Sequence, residues 1–184
     1  MQWQTRAKQS SLKTVKFIII LLGLVIPLFL GVESKGEEGA NMRLSSPAFE
    51  HNAFIPVKFT CQGESVNPAL IIEGVPTQAK SLALIMDDPD APSGDFVHWV
   101  VYDIAVTGRI EENSIPGKQG VNSSRGSDYV GPCPPTGAHR YFFKVYALDK
   151  MLNLGKGLRK PDLEKEIGTH ILDKAELIGL YKKK

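Results

Sequence analysis

The sequence lacks the short signatures on which most nucleotide and hydrolase chemistry rests. No GxGxxG follows an apolar strand, and no P-loop, GxSxG or HExxH occurs anywhere in its 184 residues. Helical periodicity is scarce. One convincing helix stands among several strands, which argues against a Rossmann-like arrangement, where nearly every strand is followed by a helix. No internal repeat is visible. An excess of one charge is also missing once the N-terminus is set aside. Arg6, Lys8, Lys13 and Lys16 against Glu33 give residues 1–34 a charge of +3, so residues 35–184 carry −1 of the chain's net +2. A nearly neutral domain has no basic stripe to displace counterions, so nucleic acid is not expected as a partner. The run Lys182-Lys183-Lys184 is too short to alter that. Turn residues, by contrast, are plentiful. Twelve prolines and seventeen glycines in one domain's length of chain indicate many short connections rather than a helix bundle.

The single long apolar run, Phe17 to Val32, follows four basic residues and ends at Glu33. Its 16 residues would reach about 24 Å as a helix, short of the roughly 30 Å hydrocarbon core. Residues 1–34 therefore read as a secretory signal peptide, with Val32 and Ser34 at the −3 and −1 positions of a cleavage site. The alternative is a retained N-terminal membrane anchor over residues 17–32. Either way the domain is expected outside the cytoplasm, in the periplasm or extracellular space. Residues 35–41 read as a polar linker and residues 42–184 as the folded domain. Cys61 and Cys133 are the only cysteines, and an even count in an exported domain favours a disulfide over two free thiols.

Within the domain, Ser81–Asp87 is apolar on both faces, as a buried strand would be. His98–Ile104 alternates, with His98, Val100, Tyr102 and Ile104 expected on one face. Tyr141–Leu148 places His139, Tyr141, Phe143 and Val145 on one side, with Phe142 and Tyr146 on the other. Val57–Phe59, Ala69–Ile72 and Lys174–Tyr181 are weaker strand candidates. The helix is expected from Pro161 to about His170, with Leu163, Ile167 and Ile171 on its buried stripe. A long loop from Thr107 to Tyr129 is rich in Gly, Asn and Ser.

Polar chemistry concentrates at the ends of two apolar strands. Asp87-Asp88-Pro89-Asp90-Ala91-Pro92 is followed by His98-Trp99, and Gly131-Pro132-Cys133-Pro134-Pro135-Thr136-Gly137-Ala138 leads into His139-Arg140-Tyr141. Buried carboxylates need partners. Taken singly, these residues read as a core histidine, a structural arginine and turn-capping aspartates. Together, two imidazoles and a phenol can donate to an anion while carboxylates hold the histidines in the donating state. The same two histidines and two aspartates could instead ligate a divalent metal.

These segments resemble the phosphatidylethanolamine-binding protein family, also called Raf-kinase-inhibitor-like. The resemblance rests on DDPDAP with HWVVYDI and on SDYVGPCPPTGAHRYFFKVYAL, supported by SPAFEHN, IPVKFTCQGESVNPAL and the closing helix and strand. It is nearest to the compact bacterial and archaeal (YbhB/YbcL-like) branch. It implies a mostly β fold, a β-sandwich with a few short peripheral helices, and a small surface pocket for phosphate-bearing head groups. Carried over by position, Asp88, His98, His139 and Tyr141 would bind ligand and Pro134 would form part of the wall. Asp90 and Arg140 would shape the site, and the Asp-Pro or Pro-Pro bonds would include a cis peptide. The longer C-terminal segment of animal members has no match here, and Gly131–Tyr141 is shorter, which points away from kinase regulation. The expected function is therefore non-enzymatic binding of a phosphate-containing small molecule or phospholipid head group, without cofactor. Two alternatives remain: a protein-interaction or inhibitor module, and a metal-assisted hydrolase using Asp88, Asp90, His98 and His139. By analogy with compact relatives, the resemblance also implies a homodimer.

Overall fold

Ten regular elements, all but one of them strands, run through residues 41–184, the part of the chain that the computed structural model describes. In order they are β1 (Arg43–Ser45), β2 (Ala53–Phe54), β3 (Leu70–Glu73), β4 (Ser81–Asp88), β5 (Phe96–Ile104), β6 (Arg109–Ile110), β7 (Lys118–Gln119), β8 (Ala138–Leu148), α1 (Lys160–Ile167) and β9 (Ile171–Lys182). The long strands form a six-stranded sheet in the order β2-β9-β8-β4-β5-β7, and β1-β3-β6 form a second, three-stranded sheet. Every pairing is antiparallel except β2 with β9. This is the expected mostly β architecture. The readings of residues 1–34 and 35–41 concern the stretch before the described residues, apart from residue 41 itself.

The sequence of β4 is apolar on both faces because both faces are covered. Leu82, Leu84 and Met86 join Leu44, Leu70, Ile72 and Ile110 in a cluster between the two sheets. Ala83 and Ile85 face the opposite way, into a second cluster with Val100, Tyr102, Leu163 and Ile167, which α1 closes. All eight residues of β4 are buried. Burying Leu, Ile or Met side chains on this scale contributes about 1.5–3 kcal/mol each, offset by the entropy of ordering the chain.

Four local expectations are corrected. Val57–Phe59 forms a 3-10 turn instead of a strand. Pro56 precedes it, and both the backbone N–H and the hydroxyl of Thr60 donate back to the Val57 carbonyl, which curls the chain. The helix stops at Ile167, before Gly168, and Ile171 pairs with Leu148 as the first residue of β9 rather than extending the helical stripe. Ile104 packs with Trp99 and Val101 rather than with Val100 and Tyr102. Asp103 at φ 52° and a register shift between Leu82 and Leu84 break the alternation just before it. No peptide bond among the described residues is cis. The long loop contains β6 and β7, each two residues, and is fastened by the buried Asn122, whose amide donates to the Asp128 carbonyl.

Candidate functional site

The adjacent aspartates at the end of β4 point to opposite faces, and each finds a different kind of partner. Asp87 accepts from Lys144 (2.8 Å) and Lys160 (2.6 Å), on the face covered by α1. Asp88 accepts from His139 Nδ1 at 2.8 Å through one oxygen and from the backbone N–H of Asp90 at 2.9 Å through the other. Asp90 takes both guanidinium bonds of Arg140, at 2.7 and 2.9 Å, together with the Arg140 backbone N–H. The guanidinium beside Asp90 holds its carboxyl well down, at about 2, and in return raises the already high pKa of Arg140. This fork fixes the Pro89–Pro92 turn to the start of β8. Asp90 and Arg140 thus tie the two segments together.

His98 reaches this site through an irregularity. Met86 pairs with Trp99 and Asp87 with Val97, so His98 is an extra residue in β5. The bulge turns its ring away from Val100 and Tyr102, the face that simple alternation assigns it, and onto Tyr141. The two rings meet edge-on at 5.2 Å, and Phe96 flanks His98 at 4.8 Å. His98 Nδ1 lies 2.6 Å from the Val130 carbonyl, and the Val130 N–H returns a bond to the His98 carbonyl. The ring must donate to that carbonyl, which places a proton on Nδ1. Burial pushes the pKa of His98 down, against the Val130 bond and the charge of Asp88, so at neutral pH the ring is neutral.

Tyr141 is the anomaly. Its side chain is fully buried against the edge of the His98 ring, and its hydroxyl lies near the Asp88 carboxylate and the Cys133 backbone without forming a hydrogen bond of normal geometry to either. Burial, then the nearby Asp88 charge, raises its pKa, so the phenol keeps its proton. An unpaired buried hydroxyl costs about 1–3 kcal/mol. Asp88, His98, His139 and Tyr141 are all buried, with His139 bonded to Asp88 and the His98 ring against Tyr141. Pro134 is buried one residue beyond Cys133, which is bonded to Cys61 with a Cα–Cα distance of 5.4 Å. The disulfide clips the segment leading to His139 onto the Thr60–Gly63 turn, where the Cys61 N–H donates to the Pro132 carbonyl.

Sequence reasoning missed the Val130 carbonyl, which no side-chain pattern reveals, and Phe96, whose place two residues before His98 was a usable signal. It also left Asp87 without its lysines. Lys144 lies on the Phe142 face of β8, so its alternation could have identified it. Among the described residues, no three His, Cys, Asp or Glu side chains converge as a metal-ligand set.

The family model for the phosphatidylethanolamine-binding protein matches residues 45–182, nearly all of the described chain. The chain belongs to the phosphatidylethanolamine-binding protein family. Within that family, a Pyrococcus horikoshii protein of the UPF0098 group is 43% identical, covering 91% of this chain and 89% of its own length. A UPF0098 protein of Methanothermobacter thermautotrophicus is 45% identical over 77% of this chain and 99% of its own. The crystal structure of a phosphatidylethanolamine-binding protein homolog from Chlamydia trachomatis superposes with a TM-score of 0.76 at 40% identity, over 79% of this chain and 99% of that one. Escherichia coli YbcL, at 24% identity and a TM-score of 0.73, shares the fold. Relatives of about the domain's length align over 99% of their own chains, and Glu37–Lys184 is a compact unit. The disulfide points to a non-cytoplasmic location. No helix among the described residues is long and apolar enough to cross a membrane.

Proposed function

We propose that this family member is a non-enzymatic binding protein for phosphate-bearing ligands, held by Tyr141, His98 and His139 with Asp88 as the orienting carboxylate. The observation that carries the reading is the fully buried Tyr141 hydroxyl without a partner. A donor left unpaired at that cost is poised for an acceptor the protein does not itself supply. The His98 ring borders it, and Asp88 accepts from His139 Nδ1, so Nε2 of a neutral ring accepts from the P–OH of a protonated phosphate and donates only when the ring carries a second proton. When His98 takes up a second proton, it adds a charge-assisted bond to a bound phosphate.

The side chains that a metal-assisted hydrolase would recruit are committed elsewhere. Both oxygens of Asp90 are taken by Arg140, and His98 Nδ1 is taken by Val130. This favours binding over turnover. The segment Phe17–Val32 supports export, and with it a ligand met at or beyond the membrane, a phospholipid head group or a free phosphate compound.

Isothermal titration of residues 37–184 with inorganic phosphate and phosphoethanolamine tests this, alongside a His98→Ala variant and a metal analysis. Saturable binding that the variant loses is the expected result. A folded protein that binds neither compound would overturn the reading and direct the search to protein partners. A stoichiometric metal would favour the hydrolase.

A further inference from the structure

Away from the anion pocket, one surface combines exposed apolar side chains with unpaired positive charge. The edge strand β2 and the turn after it present Phe54 (60% exposed) and Val57 (43% exposed) around Pro56, in a mostly apolar groove of about 510 Å³. Lys182, Lys183 and Lys184 form its other wall. None of Lys182, Lys183 and Lys184 is in an ion pair among the described residues, and they are three successive residues of the chain. Exposed Phe and Val are unfavourable in water, and three successive lysines repel one another; together they suit a surface that is both apolar and anionic.

The patch is also fastened to the fold by backbone and side-chain hydrogen bonds. Ile55 is buried while Phe54 projects outward, and β2 is held to β9 in the register Phe54 with Leu180. Gln62 fastens the lysine segment, accepting from the Lys184 N–H and the Tyr181 hydroxyl while donating to the Lys184 carbonyl. Register then fixes its position relative to the pocket. Tyr181 pairs with His139 and Lys182 with Ala138, so patch and pocket share one end of the large sheet.

We propose that this face docks on an anionic lipid surface, with Phe54 and Val57 entering the interface and Lys182, Lys183 and Lys184 against the head groups. The occupant follows from charge complementarity. Residues 35–184 carry −1 overall, so attraction to an anionic surface has to be local, and Lys182, Lys183 and Lys184 put three positive charges beside the exposed Phe54 and Val57. Docked this way, the domain keeps the pocket end of its sheet near the lipid head groups. The proposal rests on residues outside the pocket and stands independently of the pocket's ligand.

Co-sedimentation of residues 37–184 with vesicles is the test, comparing phosphatidylcholine alone with phosphatidylcholine containing about a third phosphatidylglycerol. Binding is expected to the anionic vesicles only, and to weaken with added salt. Each Lys→Gln change should reduce partitioning about fivefold, and all three together roughly a hundredfold. Phe54→Ser should also weaken it, whereas the lysine variants should titrate phosphate normally. Absence of binding by the folded domain would overturn the proposal. So would binding that the triple Lys→Gln variant leaves intact and His98→Ala abolishes, since the pocket alone would then hold the lipid. Light scattering that shows a dimer broken by Phe54→Ser, with no vesicle binding, would assign the face to a second copy instead.

Discussion

At the residue scale, Tyr141 separates a binding role from a structural one. Tyr141→Phe removes a hydroxyl that makes no hydrogen bond of normal geometry, so stability should stay level or rise by about 1 kcal/mol, since a desolvated group disappears. Phosphate affinity should nonetheless fall about tenfold or more, because a direct donor to the ligand is gone. Paired denaturation and titration curves check this, and a variant that loses stability while keeping affinity would refute it. His98 makes a pH prediction. Its pKa is lowered in the fold, so between that value and the unfolded value near 6.5 the unfolded chain binds more protons. The stabilisation is fully present above about pH 6.5 and is lost as pH falls through the folded value. His98→Asn retains a donor for the Val130 carbonyl and does not titrate, so its unfolding midpoint should fall less than the wild type's on acidification from pH 7 to 5. Asp90, held near 2, adds a further acid-labile contribution only below about pH 4 in both proteins.

At the element scale, the sequence exposed strands wherever burial made a plain pattern and failed where backbone irregularity intervened. Ser81–Asp87 and Tyr141–Leu148 were legible because a doubly covered strand reads as continuous apolar sequence and a half-covered one alternates. His98 was identified as a site residue through resemblance, whereas alternation placed it on the wrong face. A bulge is set by hydrogen-bond register between strands, which a single strand's pattern does not encode. The Val130 carbonyl and the Asp87 lysines were hidden for the related reason that tertiary contacts supply them. The β2–β9 junction gives a test at this scale. A Cβ on Gly179 would lie 2.5 Å from Ile55 Cγ1 and 2.9 Å from Phe49 Cε2, both in the core. Gly179→Ala should cost about 1–3 kcal/mol and loosen the edge strand. Amide exchange at Ile55, whose N–H donates to the Leu180 carbonyl, should then accelerate more than exchange in β4.

At the scale of the molecule, one covalent link joins the segment leading into His139 to the Thr60–Gly63 turn. The Cys61–Cys133 bridge closes a loop spanning 72 residues of sequence separation, which corresponds to about 4 kcal/mol by chain entropy. Both cysteines are exposed, so a small dithiol reaches the bond without prior unfolding. Reduction, or replacement of both residues by serine, should lower the denaturation midpoint by the equivalent of about 2–4 kcal/mol while the domain still folds, because neither cysteine belongs to either hydrophobic cluster. Ligand affinity should fall by more than the small fraction of unfolded protein explains. The released segment carries Pro134 and leads straight into His139, and its preceding residue, Val130, is what fixes the His98 ring. Titrating phosphate into the oxidised and reduced proteins at a temperature where both are fully folded distinguishes the two effects. Equal affinities would show that the backbone bond from Cys61 to Pro132 and the Ser65 hydroxyl bond to Gly131 hold the segment without the disulfide. Unequal affinities would make the bridge part of the binding site's construction as well as of the fold's stability.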